Sequence, residues 1–115
     1  MTGGKTTLKI IEEVILKDKE GKDRKILAKV DTGATRSSLD TRLASELKLG
    51  PIVRTKLIKS SHGSSLRPVV EAEIKIKGEK IKTQFTLADR KRMKYKILIG
   101  VNTMRCGNFL VDPSK

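Results

Sequence analysis

Ile26-Leu27-Ala28-Lys29-Val30-Asp31-Thr32-Gly33-Ala34 is the stretch on which the reading of this chain turns. An apolar run feeds directly into a carboxylate, a hydroxyl and a glycine, which describes a buried strand delivering Asp31 to a sharp turn. Gly33 permits backbone angles and close approaches that a Cβ would block. Thr32 adds a hydroxyl that can both donate and accept hydrogen bonds. A carboxylate at the end of a core strand is costly to bury unless its charge is stabilised or its proton shared. Asp-x-Gly is also an ordinary turn, so the flanking chain has to decide.

Upstream, Thr7 to Leu16 is rich in β-branched residues and reads as a strand despite Glu12 and Glu13. A polar turn over Asp18 to Asp23 returns the chain through Lys25 to Val30, making a hairpin that ends at Asp31. Downstream, Asp40 is placed to cap a helix over Thr41 to Leu49, with Leu43 and Leu47 on one face, Gly50 as its stop and Pro51 beyond. Ile52 to Lys59 alternates weakly, and Ser60-Ser61-His62-Gly63-Ser64-Ser65 is a tip of small residues. Val70, Ala72, Ile74 and Ile76, then Ile81, Thr83, Phe85 and Leu87, alternate with polar residues across a Lys77-Gly78 turn. That period of two is the clearest β pattern in the chain. Ile97-Leu98-Ile99-Gly100 suits a short strand buried on both faces. Asn102 to Cys106 holds a helical turn ended by Gly107, and Asn108 to Asp112 reads as a last strand.

The expected architecture is therefore mainly β with one or two short helices, as a single domain over residues 1–115. Aromatic residues make up 3% of the chain and Trp is absent, so Ile, Leu and Val must fill the core. No apolar run approaches the length that spans a bilayer, and the N-terminus lacks a secretory apolar stretch. One cysteine, Cys106, excludes an intrachain disulfide. These features fit a cytoplasmic protein with no membrane contact. Lys and Arg number 26 against 13 acidic residues, a net charge of +13. Such a field attracts polyanions and acidic proteins, or simply keeps a lysine-rich surface solvated. Aromatic residues to stack on bases are nearly missing, which places nucleic acid behind an acidic peptide as partner.

The order of parts resembles a retropepsin-like aspartic peptidase: hairpin, Asp-Thr-Gly-Ala, hairpin with a flexible tip, then Ile-Leu-Ile-Gly before a short helix. More narrowly, the chain resembles the RimK-associated family, also known as "ATP-dependent zinc" proteases. Three blocks carry this: Val30 to Ala34, Ile58 to Gly63, and Leu87 to Arg90 continuing through Met93, Ile97 to Gly100 and Gly107 to Pro113. The resemblance implies a closed β-barrel of the acid protease fold, one lobe per chain, and an intracellular protein. It implies Asp31 as the catalytic carboxylate and Thr32, Gly33 and Ala34 as the supporting loop. Ser61, His62 and Gly63 become a flap over substrate, and Ile99 and Gly100 the second glycine motif. Thr32 would hydrogen-bond across two such loops. Family members commonly carry Arg where this chain has Val101, so an ion pair made by that Arg is absent here. The family name also implies a link to a glutamate-adding ligase, and hence to glutamate-rich protein tails.

Aspartic peptidases use two carboxylates that share a proton, one activating water while the other polarises the scissile carbonyl. This chain has a single Asp-Thr-Gly, so it can build the pair only as a two-fold homodimer with Asp31 from each copy. Arg36, Lys59, Arg67, Arg90 and Arg92 flank the three blocks and are expected at the rim of the cleft. Zinc is not expected: the soft ligands are His62 and Cys106, and tetrahedral zinc wants more. Cys106 reads as a small buried hydrophobe and His62 as a solvated loop residue. Gly3-Gly4-Lys5-Thr6 lacks the preceding strand and spacing of a phosphate loop, so no cofactor is expected. The competing reading is a binding module of the same fold that holds an acidic protein or nucleic acid without cleaving it.

Overall fold

Alternation in the first hairpin builds one wall of the molecule. The computed structural model describes residues 5–61 and 63–114, with Ser60 described by its backbone alone. Strands β2 (Ile11–Lys17) and β3 (Asp23–Val30) pair antiparallel. Glu12, Val14 and Leu16 of β2 point inward with Ala28 and Val30 of β3. The turn between them is fastened by Asp18, whose Oδ1 accepts the backbone N–H of Glu20 and of Lys22, each at 2.9 Å.

The predicted strand from Thr7 to Leu16 is in fact two. β1 (Thr7–Leu8) leaves to pair in parallel with β9 (Leu110–Val111). The break at Lys9-Ile10 is held by the Glu12 carboxylate, which accepts the Lys9 N–H at 2.7 Å. Glu12 is therefore a buried residue with a job at a strand junction, where its charge had only blurred the pattern.

After the Asp31 turn come β4 (Ser37–Asp40) and α1 (Thr41–Glu46). Asp40 caps α1 as expected, accepting the Leu43 N–H at 3.3 Å. The helix stops at Glu46 rather than Leu49, because Lys48 takes the left-handed conformation (φ 53°) ahead of Gly50. β5 (Ile52–Ser60), β6 (Gly63–Ile76) and β7 (Glu79–Ala88) form a meander. Lys77 and Gly78 both have positive φ (51° and 82°), as a two-residue hairpin loop matching the strand twist requires. β8 (Ile97–Ile99) leads into α2 (Val101–Gly107). The left-handed residue ending α2 is Asn108 (φ 55°), and Gly107 lies within the helix.

The sheet runs β2-β3-β8-β4-β7-β6, and β6 pairs again with β2, closing a six-stranded barrel; β5 extends beyond β6. The core inside holds Val14, Leu16, Leu39, Ile74, Ile76, Phe85, Ile97 and Ile99, each at most 1% exposed. β8 is inserted between β3, which it meets in parallel, and β4, which it meets antiparallel. That insertion sets the turn after β3 beside the turn after β8. Among the described residues, no helix is long and apolar enough to cross a membrane.

Candidate active site

The two turns so juxtaposed are Asp31-Thr32-Gly33-Ala34 and Gly100-Val101-Asn102. Asp31 donates its backbone N–H to the Ile99 carbonyl at 2.9 Å. Its carboxylate Oδ1 accepts the Gly33 N–H at 2.9 Å, and its carbonyl accepts the Ala34 N–H at 3.2 Å. The loop then passes to α2: Val101 donates to the Ala34 carbonyl at 2.8 Å and Asn102 to the Thr35 carbonyl at 3.2 Å.

Both glycines are explained by close approach. A Cβ on Gly33 would lie 3.2 Å from Asp31 Oδ1. A Cβ on Gly100 would lie 2.5 Å from the Arg36 carbonyl carbon and 2.9 Å from the Ala34 oxygen. Backbone that near leaves room for hydrogen alone. Neither Gly33 nor Gly100 has positive φ, so close approach, and not unusual backbone angles, is what the site needs from them.

Beneath the loop lies a buried polar network that the sequence did not disclose. Ser37 is fully buried, and its Oγ accepts the Gly100 N–H at 2.9 Å. Asn102 Oδ1 accepts both the Ser37 N–H (2.7 Å) and the Ser37 hydroxyl (3.0 Å). Thr103 is also fully buried and bonds the Ser37 and Thr83 hydroxyls. Asn102 Nδ2 donates to the Gln84 carbonyl at 3.0 Å. Four neutral side chains from β4, β7 and α2 thus hold the loop from below. Val101 itself joins the loop by its backbone.

The face turned outward is open. Asp31 is half-buried while Thr32 and Gly33 are exposed, and among the described residues no hydrogen bond involves the Thr32 hydroxyl. Beside the loop, a concavity of about 350 Å³ is lined by Thr32, Gly33, Thr35, Arg36, Val101 and Arg105, with Asn102. A second, of about 540 Å³, runs from Arg36, Ser38 and Leu98 to the β5–β6 hairpin. Its cations are Arg36, Lys56, Lys59, Arg67 and Arg90, and no acidic residue lines it. Four of the five predicted rim residues are there; Arg92 is exposed on the 89–94 loop and does not line the groove, while Lys56 does. A larger concavity, about 750 Å³ between α1 and the β5–β6 strands, includes no residue of the Asp31 turn.

Arg90 is held from behind. Its backbone N–H donates to Asp40 Oδ1 at 2.7 Å and its Nε to the Tyr95 carbonyl at 3.1 Å. Burial pushes its guanidinium pKa down, and the Asp40 carboxylate counters that shift. Lys96 ties the same loop, donating from Nζ to the carbonyls of Arg90, Lys91 and Met93 at 2.7–3.0 Å.

Ser61 and Gly63 lie at the exposed end of the β5–β6 hairpin, and His62 lies outside the described residues. Cys106 is exposed on α2, not the buried hydrophobe expected, because the inner face of the helix is taken by Thr103 and Met104. Among the described residues, no group of three or more His, Cys, Asp or Glu side chains is arranged to hold a metal ion.

Comparison with known proteins agrees with this fold. The model of the RimB-like family, described as retropepsin-like aspartic endopeptidase RimB, matches residues 41–115. No curated protein sequence matches. The structure is similar to the EIAV protease complexed with the inhibitor HBY-793, at 25% identity and TM-score 0.65, over 83% of this chain and 84% of that one. It is similar to the simian foamy virus (mac) protease at 22% identity and TM-score 0.60, over 83% and 91% of the two chains. It is also similar to Lpg0085 of Legionella pneumophila, of unknown function, at 21% identity and TM-score 0.66, over 97% and 96%. The fold is that of the retropepsins.

Proposed function

Since this chain belongs to the RimB-like family of retropepsin-like aspartic endopeptidases, we propose that it hydrolyses peptide bonds as a homodimer with one Asp31 from each copy. The observation that carries this reading is the Asp31 turn itself. Its base is fixed by four backbone hydrogen bonds and by the Gly33 N–H donated to the Asp31 carboxylate, while Thr32 and Gly33 face outward. A rigid loop with an exposed tip is half of a site, and a second copy supplies the other half. In the pair, one carboxylate takes a proton from water as the water oxygen attacks the scissile carbonyl. The other, protonated, donates to the carbonyl oxygen, and the proton passes to the leaving amine as the C–N bond breaks. Thr32 is assigned the cross-loop hydrogen bond that keeps the two turns in register. The hairpin tip at Ser61 and Gly63, with His62, is assigned the cover over bound substrate.

The groove cations support an acidic substrate, such as a glutamate-rich protein tail. The same cations support the second reading, a binding module that holds an acidic protein or nucleic acid without cleaving it. Replacement of Asp31 separates the two. Asp31→Asn keeps the shape of the turn and removes the water-activating charge. Cleavage of a glutamate-rich peptide is expected to vanish in this variant, with circular dichroism and melting unchanged. Equal cleavage by wild type and variant would remove Asp31 from the mechanism, and tight binding without cleavage by the wild type would favour the binding module.

A further inference from the structure

Antiparallel neighbours on one face of a sheet have Cβ atoms about 5 Å apart, and like charges placed directly opposite are destabilising. Among the described residues, two such pairs occur in the registers of the sheet. Lys75 faces Lys80 across β6 and β7, in a concavity that Asp23 and Glu73 also line. Lys56 faces Arg67 across β5 and β6, in the groove that also holds Arg36 and Arg90 and has no acidic lining residue. Both side chains belong to half-buried residues of a hairpin that is otherwise largely exposed. Among the described residues, neither Lys56 nor Arg67 forms an ion pair. The first pair shares its concavity with two carboxylates; the groove of the second offers none.

We propose that Lys56 and Arg67 are the specificity-determining pair of the groove: together they bind one side-chain carboxylate of an acidic peptide, with Arg36 and Arg90 on the facing wall. This rests on the acidic-substrate reading above and adds to it a cost in the unliganded chain. Partly desolvated like charges repel across the hairpin until an anion enters, so recognition and stability are linked: whatever binds the native groove stabilises it by mass action. Guanidinium and ammonium suit this division, the arginine offering a planar fork to a carboxylate and the lysine a point charge.

The test uses the full chain with oligo-glutamate and oligo-glutamine of equal length, at low and at physiological salt. Oligo-glutamate is expected to raise the melting temperature of the wild type, more at low salt, and oligo-glutamine to leave it unchanged. Combining Lys56→Gln with Arg67→Gln is expected to raise the ligand-free melting temperature at low salt and to weaken oligo-glutamate binding by about tenfold. Lys75→Gln with Lys80→Gln makes the same change in net charge outside the groove and is expected to bind oligo-glutamate as the wild type does. Arg67→Gln alone reports the same loss in smaller measure if the double variant folds poorly. Unchanged affinity in the Lys56/Arg67 variant, or an equal loss in the Lys75/Lys80 variant, overturns the proposal in favour of a diffuse field. Pair-dependent binding without cleavage leaves the pair in place and removes the peptidase, whereas cleavage indifferent to the pair removes the pair alone.

Discussion

At the scale of single residues, the site depends on atoms that have no chemistry of their own. Gly100 allows the Asp31 loop to lie against the start of α2, and Ser37 supplies the hydroxyl that satisfies the Gly100 N–H. Removing a hydroxyl from a buried, fully bonded position leaves its partners unsatisfied, at about 1–3 kcal/mol. Ser37→Ala strands the Gly100 N–H and one lone pair of Asn102, so a loss of that order is expected in chemical denaturation. A variant as stable as the wild type would show that the network is incidental. Asp31, Gly33 and Gly100 could be picked out in the sequence because an apolar run ending in Asp-Thr-Gly is a local pattern. Ser37 and Thr103 could not. Their partners lie 20–66 residues away, and no local spacing announces a contact at that distance. The exposure of Cys106 is hidden from the sequence for a related reason: which face of a two-turn helix is buried depends on what packs against it.

At the scale of elements, the alternating strands and the all-apolar β8 are legible in the sequence, and the polar, fully buried β4 is not. β6 and β7 follow a period of two for most of their length, with Ala72, Ile74 and Ile76 inward against Glu71, Glu73 and Lys75 outward. β4 is buried at all four positions, Ser37 to Asp40, so it has no polar face to reveal its period and its hydroxyls imitate a loop. The β2–β3 hairpin depends on a turn whose strength is set by pH. The Lys22 N–H, with smaller help from Glu20 and Arg24, holds the Asp18 carboxyl below its ordinary value of 3.8, against a desolvation that pushes the other way. A carboxylate depressed in the folded state adds stability above its unfolded pKa and loses it as pH falls through the folded value. Asp18→Asn is accordingly expected to melt earlier than wild type at neutral pH, with the difference closing in acid below pH 3.8. A difference that is constant with pH would assign the effect to shape and not to charge.

At the scale of the whole molecule, the barrel closes and the chemistry does not. Six strands satisfy one another around the ring, yet the one Asp-Thr-Gly of 115 residues presents its tip outward and, in the proposed mechanism, needs a second carboxylate to share a proton with. The net charge of +13 divides in the same way. Some cations sit opposite carboxylates, as Lys17 does with Asp23 at 3.3 Å and Arg24 with Asp18 at 3.4 Å. Among the described residues, those in the groove beside the Asp31 turn form no ion pair, although the Asp40 carboxylate acts on Arg90, so the charge that reads as solubility along the sequence is uneven in space. The central claim is that two copies of Asp31 make one active site, and subunit mixing measures it. Wild-type and Asp31→Asn chains are equilibrated at fixed total concentration and cleavage of a glutamate-rich peptide is followed as the wild-type fraction falls. A site that needs both carboxylates loses activity as the square of that fraction, to about a quarter at an equal mixture. A linear fall, to about half, or no cleavage by the wild type at all, would contradict the account.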